Sequence, residues 1–114
     1  MHASASVSDP EREIPGIGDR ARAASLLQAL GNPIRLAIVL DLAKGGCCVH
    51  ELVDRLGGQA HGITQPLVSQ HLRVLRSAGV VVAGRRGKEN LYELLDAQVS
   101  GIVGRALEHT RRHP

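Results

Sequence analysis

The chain has 114 residues, a formal net charge of +3, no Phe or Trp, and one tyrosine, Tyr92. That length suits a single domain with a modest core of Leu, Val, Ile and Ala, and the lack of aromatics argues against RNA or single-stranded DNA, whose bases stack on aromatic rings. No apolar run approaches the roughly 20 residues of a membrane span, the N-terminus lacks the basic start and apolar stretch of a secretory signal, and the adjacent Cys47 and Cys48 are too close in sequence to pair without strain, so two reduced thiols and a cytoplasmic location are expected.

Residues 1–18 carry Ser, Pro, Gly and charge with no apolar period, which reads as a mobile tail ahead of a domain over 19–114. Asp19 is expected to cap a first helix, RARAASLLQAL, that Gly31 ends. Asn32 caps a second, with Pro33 at its first position and Ile34, Ile38 and Leu42 as its apolar stripe. CCVHELVDRLGG starts a third helix, with Leu52, Val53 and Leu56 inward and the Gly57–Gly58 pair as its stop. GGQAHGIT is a loop. A fourth helix follows, capped by Thr64 or Gln65 and opened by Pro66; Val68, Leu72 and Leu75 form one buried stripe.

The period then changes. VVVAGRRGKENLYELL reads as a β-hairpin with GRRGK at its tip. Asp96 caps a last helix, whose Val99, Ile102, Val103, Ala106 and Leu107 make a wide apolar stripe for a terminal helix. That width predicts burial against a second copy of the chain. The order is α1-α2-α3-α4-β-β-α5, mainly α with a small hairpin. It is the pattern of a winged helix-turn-helix homodimer.

Charge distribution points to a partner. From Arg55 to Lys88 stand Arg55, Arg73, Arg76, Arg85, Arg86 and Lys88, with no Asp or Glu, while the rest of the chain has a net charge of −3. Such segregation predicts a polyanion-binding surface. The polar face of the fourth helix, Gln65, Ser69, Gln70 and Arg73, has the donors and acceptors that read base edges in a major groove. His71, on the same helix, is either structural or DNA-facing. Arg85, Arg86 and Lys88 supply phosphate contacts from the wing. Double-stranded DNA is therefore the expected partner, with no membrane. A solvated polar helix face is the competing reading, and so is a wing that docks a protein. The sequence holds no phosphate loop, Gly-x-Ser-x-Gly elbow or His-Glu-x-x-His, so an enzyme is not expected.

LLQALGNPIRLAIVLDL, CVHELVDRLG, QPLVSQHLRVLRSAGVV and GRRGKENLYEL together resemble the ArsR/SmtB family of bacterial metal-sensing regulators. The resemblance runs from about Ala24 to His109. It implies an operator-binding winged-helix homodimer whose affinity changes when a metal or another signal binds. This chain departs from the family by about five extra residues near Gly58–Gly62, before the recognition helix.

The resemblance also implies two places for a metal. One lies on the last helix, where Asp96 and His109 match the family pattern, Gln98 and Arg112 replace two usual ligands, and His113 stands one turn beyond His109. Asp96 and His109 are separated by about 20 Å along a helix rising about 1.5 Å per residue, so they can share an ion only across a dimer. The other place is the start of the third helix, with Cys47, Cys48 and His50. A His-plus-carboxylate set suits nickel or zinc. Alternatives are a thiol- or redox-responsive regulator on the same cysteines and a metal-independent regulator, with activation or a co-regulator protein in place of simple repression. His2 and His61 are further histidines that a site could recruit.

Overall fold

The computed structural model describes residues 16–114. Its elements are α1 (Ile17–Leu30), α2 (Pro33–Leu42), α3 (Val49–Arg55), a short 3-10 turn (Gln59–His61), α4 (Gln65–Ser77), β1 (Val81–Arg86), β2 (Glu89–Leu94) and α5 (Gln98–Arg112). The order matches the sequence expectation. Most of the expected tail lies outside the described residues, and α1 begins inside the last part of it.

Local chemistry explains the boundaries. The Asn32 side chain accepts from the backbone N–H groups of Ile34 (2.9 Å) and Arg35 (3.1 Å), satisfying two orphan donors of α2. Thr64 satisfies one such donor of α4, its Oγ1 accepting from the Leu67 N–H at 3.3 Å. At the other end of α4, the Val80 N–H reaches Leu75 O and the Gly79 N–H reaches Arg76 O, with Gly79 at φ 75°. This is a Schellman stop, and only glycine takes that φ without strain. Asp19 differs from expectation: the N-cap of α1 is Gly16, and Asp19 lies in the first turn, paired with Arg22. Cys47 also differs. It precedes α3 and pairs with Tyr92 as a β-bridge, so the helix starts after Cys48.

The core is aliphatic. Ile38, Val39, Leu42, Leu52, Val68, Leu72, Leu75, Val80, Val81 and Val103 are buried together, with Cys47 among them. Each large side chain buried there contributes about 1.5–3 kcal/mol. The α4 stripe of Val68, Leu72 and Leu75 sits at the centre, so the opposite face of α4 must point outward. An Asp41–Arg55 ion pair of 3.1 Å links α2 to α3. β1 and β2 are antiparallel, with Arg86 opposite Glu89 across the two-residue turn Gly87–Lys88. Gly87 has φ 63°, as a tight hairpin turn with glycine first requires. Among the described residues no single helix is long and apolar enough to cross a membrane.

Candidate nucleic-acid interface and metal residues

Helix α4 is strongly amphipathic because its apolar residues repeat at three and four. Burial of Val68, Leu72 and Leu75 leaves Gln65, Gln70 and Arg73 exposed and Ser69 half-buried. Those four side chains share one face, free of carboxylates. His71 is also half-buried, and its Nδ1 lies 3.2 Å from Arg35 Nη1. Arg35 can only donate, so Nδ1 accepts and the ring carries its proton on Nε2. Burial, and then the Arg35 charge, lower the His71 pKa below its ordinary value. Arg35 also donates to Ala29 O and Gln28 O at the end of α1. One guanidinium thus joins α1, α2 and α4.

The six cations of the acid-free span divide into two groups. Arg55 is held by Asp41. Arg86, expected at the phosphates, donates to Glu51 Oε1 at 2.6 Å and to Cys48 Sγ at 3.0 Å. Arg73, Arg76, Arg85 and Lys88 make no ion pair among the described residues. Helix α4 and the wing therefore carry the four cations of the span that no carboxylate holds. Two interactions had no local signal in the sequence: Arg35 with His71 and Arg86 with Glu51 join residues 36 and 35 positions apart.

The candidate metal residues fall into two settings. His109 and His113 stack at the exposed end of α5, with ring centroids 4.7 Å apart. Asp96 sits at the opposite end, where its Oδ1 accepts from the Gln98 N–H at 2.9 Å. Among the described residues no three His, Cys, Asp or Glu side chains converge within one chain. Cys47 and Cys48 are both buried. Burial raises both thiol pKa values, against the opposing pull of Arg55 on Cys47 and of Arg86 on Cys48. Neither is poised as a thiolate, the form that binds metal or reacts with oxidants. His50 is exposed and pairs with Glu89 at 3.0 Å.

Residues 57–62, before α4, form an ordered turn. Gly57 and Gly58 have φ of 113° and 65°, Gln59–His61 make one 3-10 turn, and Gly62 has φ 73°. His61 Nδ1 meets Gly57 O at 3.0 Å, closing the turn on itself.

A short α3, a turn, a polar-faced α4 and an antiparallel wing define a winged helix-turn-helix domain. Residues 32–82 match the family described as bacterial regulatory protein, arsR family. The chain belongs to that family. It is 51% identical over 87 residues to the HTH-type transcriptional repressor SmtB of Mycobacterium tuberculosis, covering 76% of this chain and 61% of that protein. It is 37% identical over 102 residues to the HTH-type transcriptional regulator NmtR of the same organism, covering 82% and 81%. The solution structure of a homodimeric winged helix-turn-helix DNA-binding domain from Mycobacterium bovis, a possible ArsR-family transcriptional regulator, superposes with a TM-score of 0.69 at 25% identity, covering 87% of this chain and 90% of that one. The chain spans about three-fifths of the length of the SmtB relative.

Proposed function

We propose that this chain is a DNA-binding transcriptional regulator that works as a homodimer and responds to a divalent metal, nickel or zinc. The observation that carries the reading is the exposed face of α4, where Gln65, Ser69, Gln70 and Arg73 stand together with no carboxylate among them. Glutamine reads adenine and arginine reads guanine in a major groove, each through two hydrogen bonds. Arg85 and Lys88 add phosphate contacts from the wing. The names of the SmtB and NmtR relatives, as transcriptional repressor and regulator, support the same direction.

Dimerisation follows from surface chemistry. Ile17 (78% exposed) and Leu27 (57%) on α1, and Ile102 (40%) on α5, are large apolar side chains left in water. A second copy that covers α1 and α5 removes that cost. Antiparallel α5 helices then set Asp96 of one chain beside His109 and His113 of the other.

The donor set fits a nickel or zinc ion. Two imidazoles one turn apart and a carboxylate are borderline and hard ligands, which suit these metals better than copper(I) or arsenic(III). Asp96, His109 and His113 would hold the ion. Bound there, it would cross-link the two α5 helices by coordination. His109 and His113 approach each other already, and Asp96 fixes the start of α5. The buried, protonated thiols of Cys47 and Cys48 fit a metal or redox role less well. Sedimentation equilibrium of the purified chain, followed by duplex-DNA titration with and without nickel or zinc, tests the whole reading. A metal-saturable dimer whose DNA affinity shifts supports it; a monomer indifferent to metal and DNA overturns it.

A further inference from the structure

We propose that Arg86 and Glu89 are wing-positioning residues, clasped by Glu51 and His50 of α3, and that Arg86 makes no phosphate contact. The proposal rests on the DNA-binding reading above. Arg86 and Glu89 face each other as the last cross-strand pair before the hairpin turn. Their side-chain partners are consecutive residues in the first turn of α3. Arg86 Nη2 lies 2.6 Å from Glu51 Oε1, and Glu89 Oε2 lies 3.0 Å from His50 Nδ1. Each wing residue thus meets a complementary group on α3, a carboxylate for Arg86 and an imidazole for Glu89.

Glu51 is anchored from below as well. Its Oε1 accepts the Cys48 N–H at 2.8 Å, and Arg86 also reaches Cys48 Sγ. These two donors, the Cys48 N–H first, hold the Glu51 carboxyl near a pKa of about 2. Closer to the core, Cys47 and Tyr92 exchange both backbone hydrogen bonds, at 3.1 and 2.9 Å. The start of α3 is thus bonded to the wing along its length.

The distal wing has little else to hold it. In β1 only Val81 is buried and Ala83 half-buried, while Gly84 to Asn90 are all exposed. A lone two-stranded hairpin is marginal in water. The charged clasp is what aims this one.

Strand geometry separates the two wing arginines. Arg85 and Arg86 are neighbours in β1 and point to opposite faces. Arg86 faces α3. Arg85, opposite Asn90, makes no ion pair among the described residues and takes the other face. Moving Arg86 to a phosphate would leave the Glu51 carboxylate unpaired beside a polyanion. A wing already fixed, by contrast, loses less freedom on binding.

The test uses the full chain and a duplex selected by it from a random pool, titrated across KCl concentrations. Arg86→Ala, Glu51→Ala and the double variant are compared with Arg85→Ala. Arg86→Ala and Glu51→Ala should each weaken binding several-fold, the double variant should be no worse than the weaker single, and none should change the salt slope. Arg85→Ala should flatten it by about 0.9 for each phosphate no longer neutralised, so about 1.8 across a dimer. Where alanine at position 51 disturbs the start of α3, Glu51→Gln keeps an acceptor for the Cys48 N–H and should give a smaller loss of the same sign. Tighter binding by Glu51→Ala, or an Arg86→Ala slope that falls as Arg85→Ala does, overturns the proposal. Amide exchange at Gly84 and Leu91, a hydrogen-bonded pair of the hairpin next to the clasp, is an independent readout in the free protein. It should quicken in Arg86→Ala and Glu51→Ala, and unchanged exchange overturns the clasp. Failure of the parent to bind any duplex removes the DNA reading, while exchange still decides whether the clasp holds the wing.

Discussion

The Arg35 guanidinium sits 3.2 Å from Nδ1 of His71, so the first turn of α2 grips the middle of the recognition helix. His71 is kept neutral by burial and by the neighbouring cation, with its pKa below 6.5. The unfolded chain therefore binds more protons than the folded one between the lowered value and 6.5. Stability from this group is complete above 6.5 and lost as pH falls below it toward the lowered value. The midpoint of urea denaturation should fall between pH 7.5 and 5.5, and His71→Gln should flatten that dependence. An equal dependence in parent and variant would remove His71 as its source.

Glu51 predicts a second, more acidic window. Its folded value of about 2 lies below the ordinary 4.5. Its stabilising contribution is present above 4.5 and lost as pH falls through 4.5 toward 2. Glu51→Gln should lose less stability than the parent across that interval when both are followed by circular dichroism.

Gln70 stands on the exposed face of α4 with no partner among the described residues. Gln70→Ala should cost about 1–3 kcal/mol in specific binding and relax sequence choice at one position, as removal of a two-bond base pairing does. Competition between selected and random duplexes measures this. An unchanged ratio would take Gln70 out of base reading.

The turn before α4 depends on glycine at position 57. Its φ is 113°, and a Cβ there would meet the His61 ring at 2.8 Å. Gly57→Ala should destabilise the fold by about 1 kcal/mol or more. Thermal denaturation reads the loss; a midpoint equal to the parent's would mean the turn has a second conformation.

Nickel or zinc titration of His109→Ala should lose most metal affinity, whereas Cys47→Ser with Cys48→Ser should keep it. Affinity should also fall toward acid pH, because imidazole ligands must be deprotonated. The reverse pattern would move the site to the thiols.

Elements with local signals were legible in the sequence. Asn32-Pro33, Thr64 and Gly79 announce helix ends through chemistry confined to a few residues. The α4 stripe at positions 68, 72 and 75 identifies its exposed face before any coordinates. Asp19 misled, because the start of α1 is exposed and has no apolar period to mark it. Cys47 misled because its backbone joins Tyr92, a partner 45 residues away. Counting charge along the chain grouped Arg55 and Arg86 with the available cations. Their partners, Asp41 and Glu51, are set by packing, which a charge count cannot see.

In the proposed function α4 and the wing bind duplex DNA through free cations and the exposed face of α4, which holds no carboxylate. Fluorescence anisotropy of a labelled duplex, measured across KCl concentrations, tests it most directly. With four cations of α4 and the wing free of ion pairs among the described residues of each chain, and about 0.9 units of slope per phosphate contact, log Kobs should fall with log[KCl] with a slope between about −3 and −7 for a dimer. Arg85→Ala with Lys88→Ala should flatten that slope. No binding at low salt, or a slope near zero that these substitutions leave unchanged, would contradict the account.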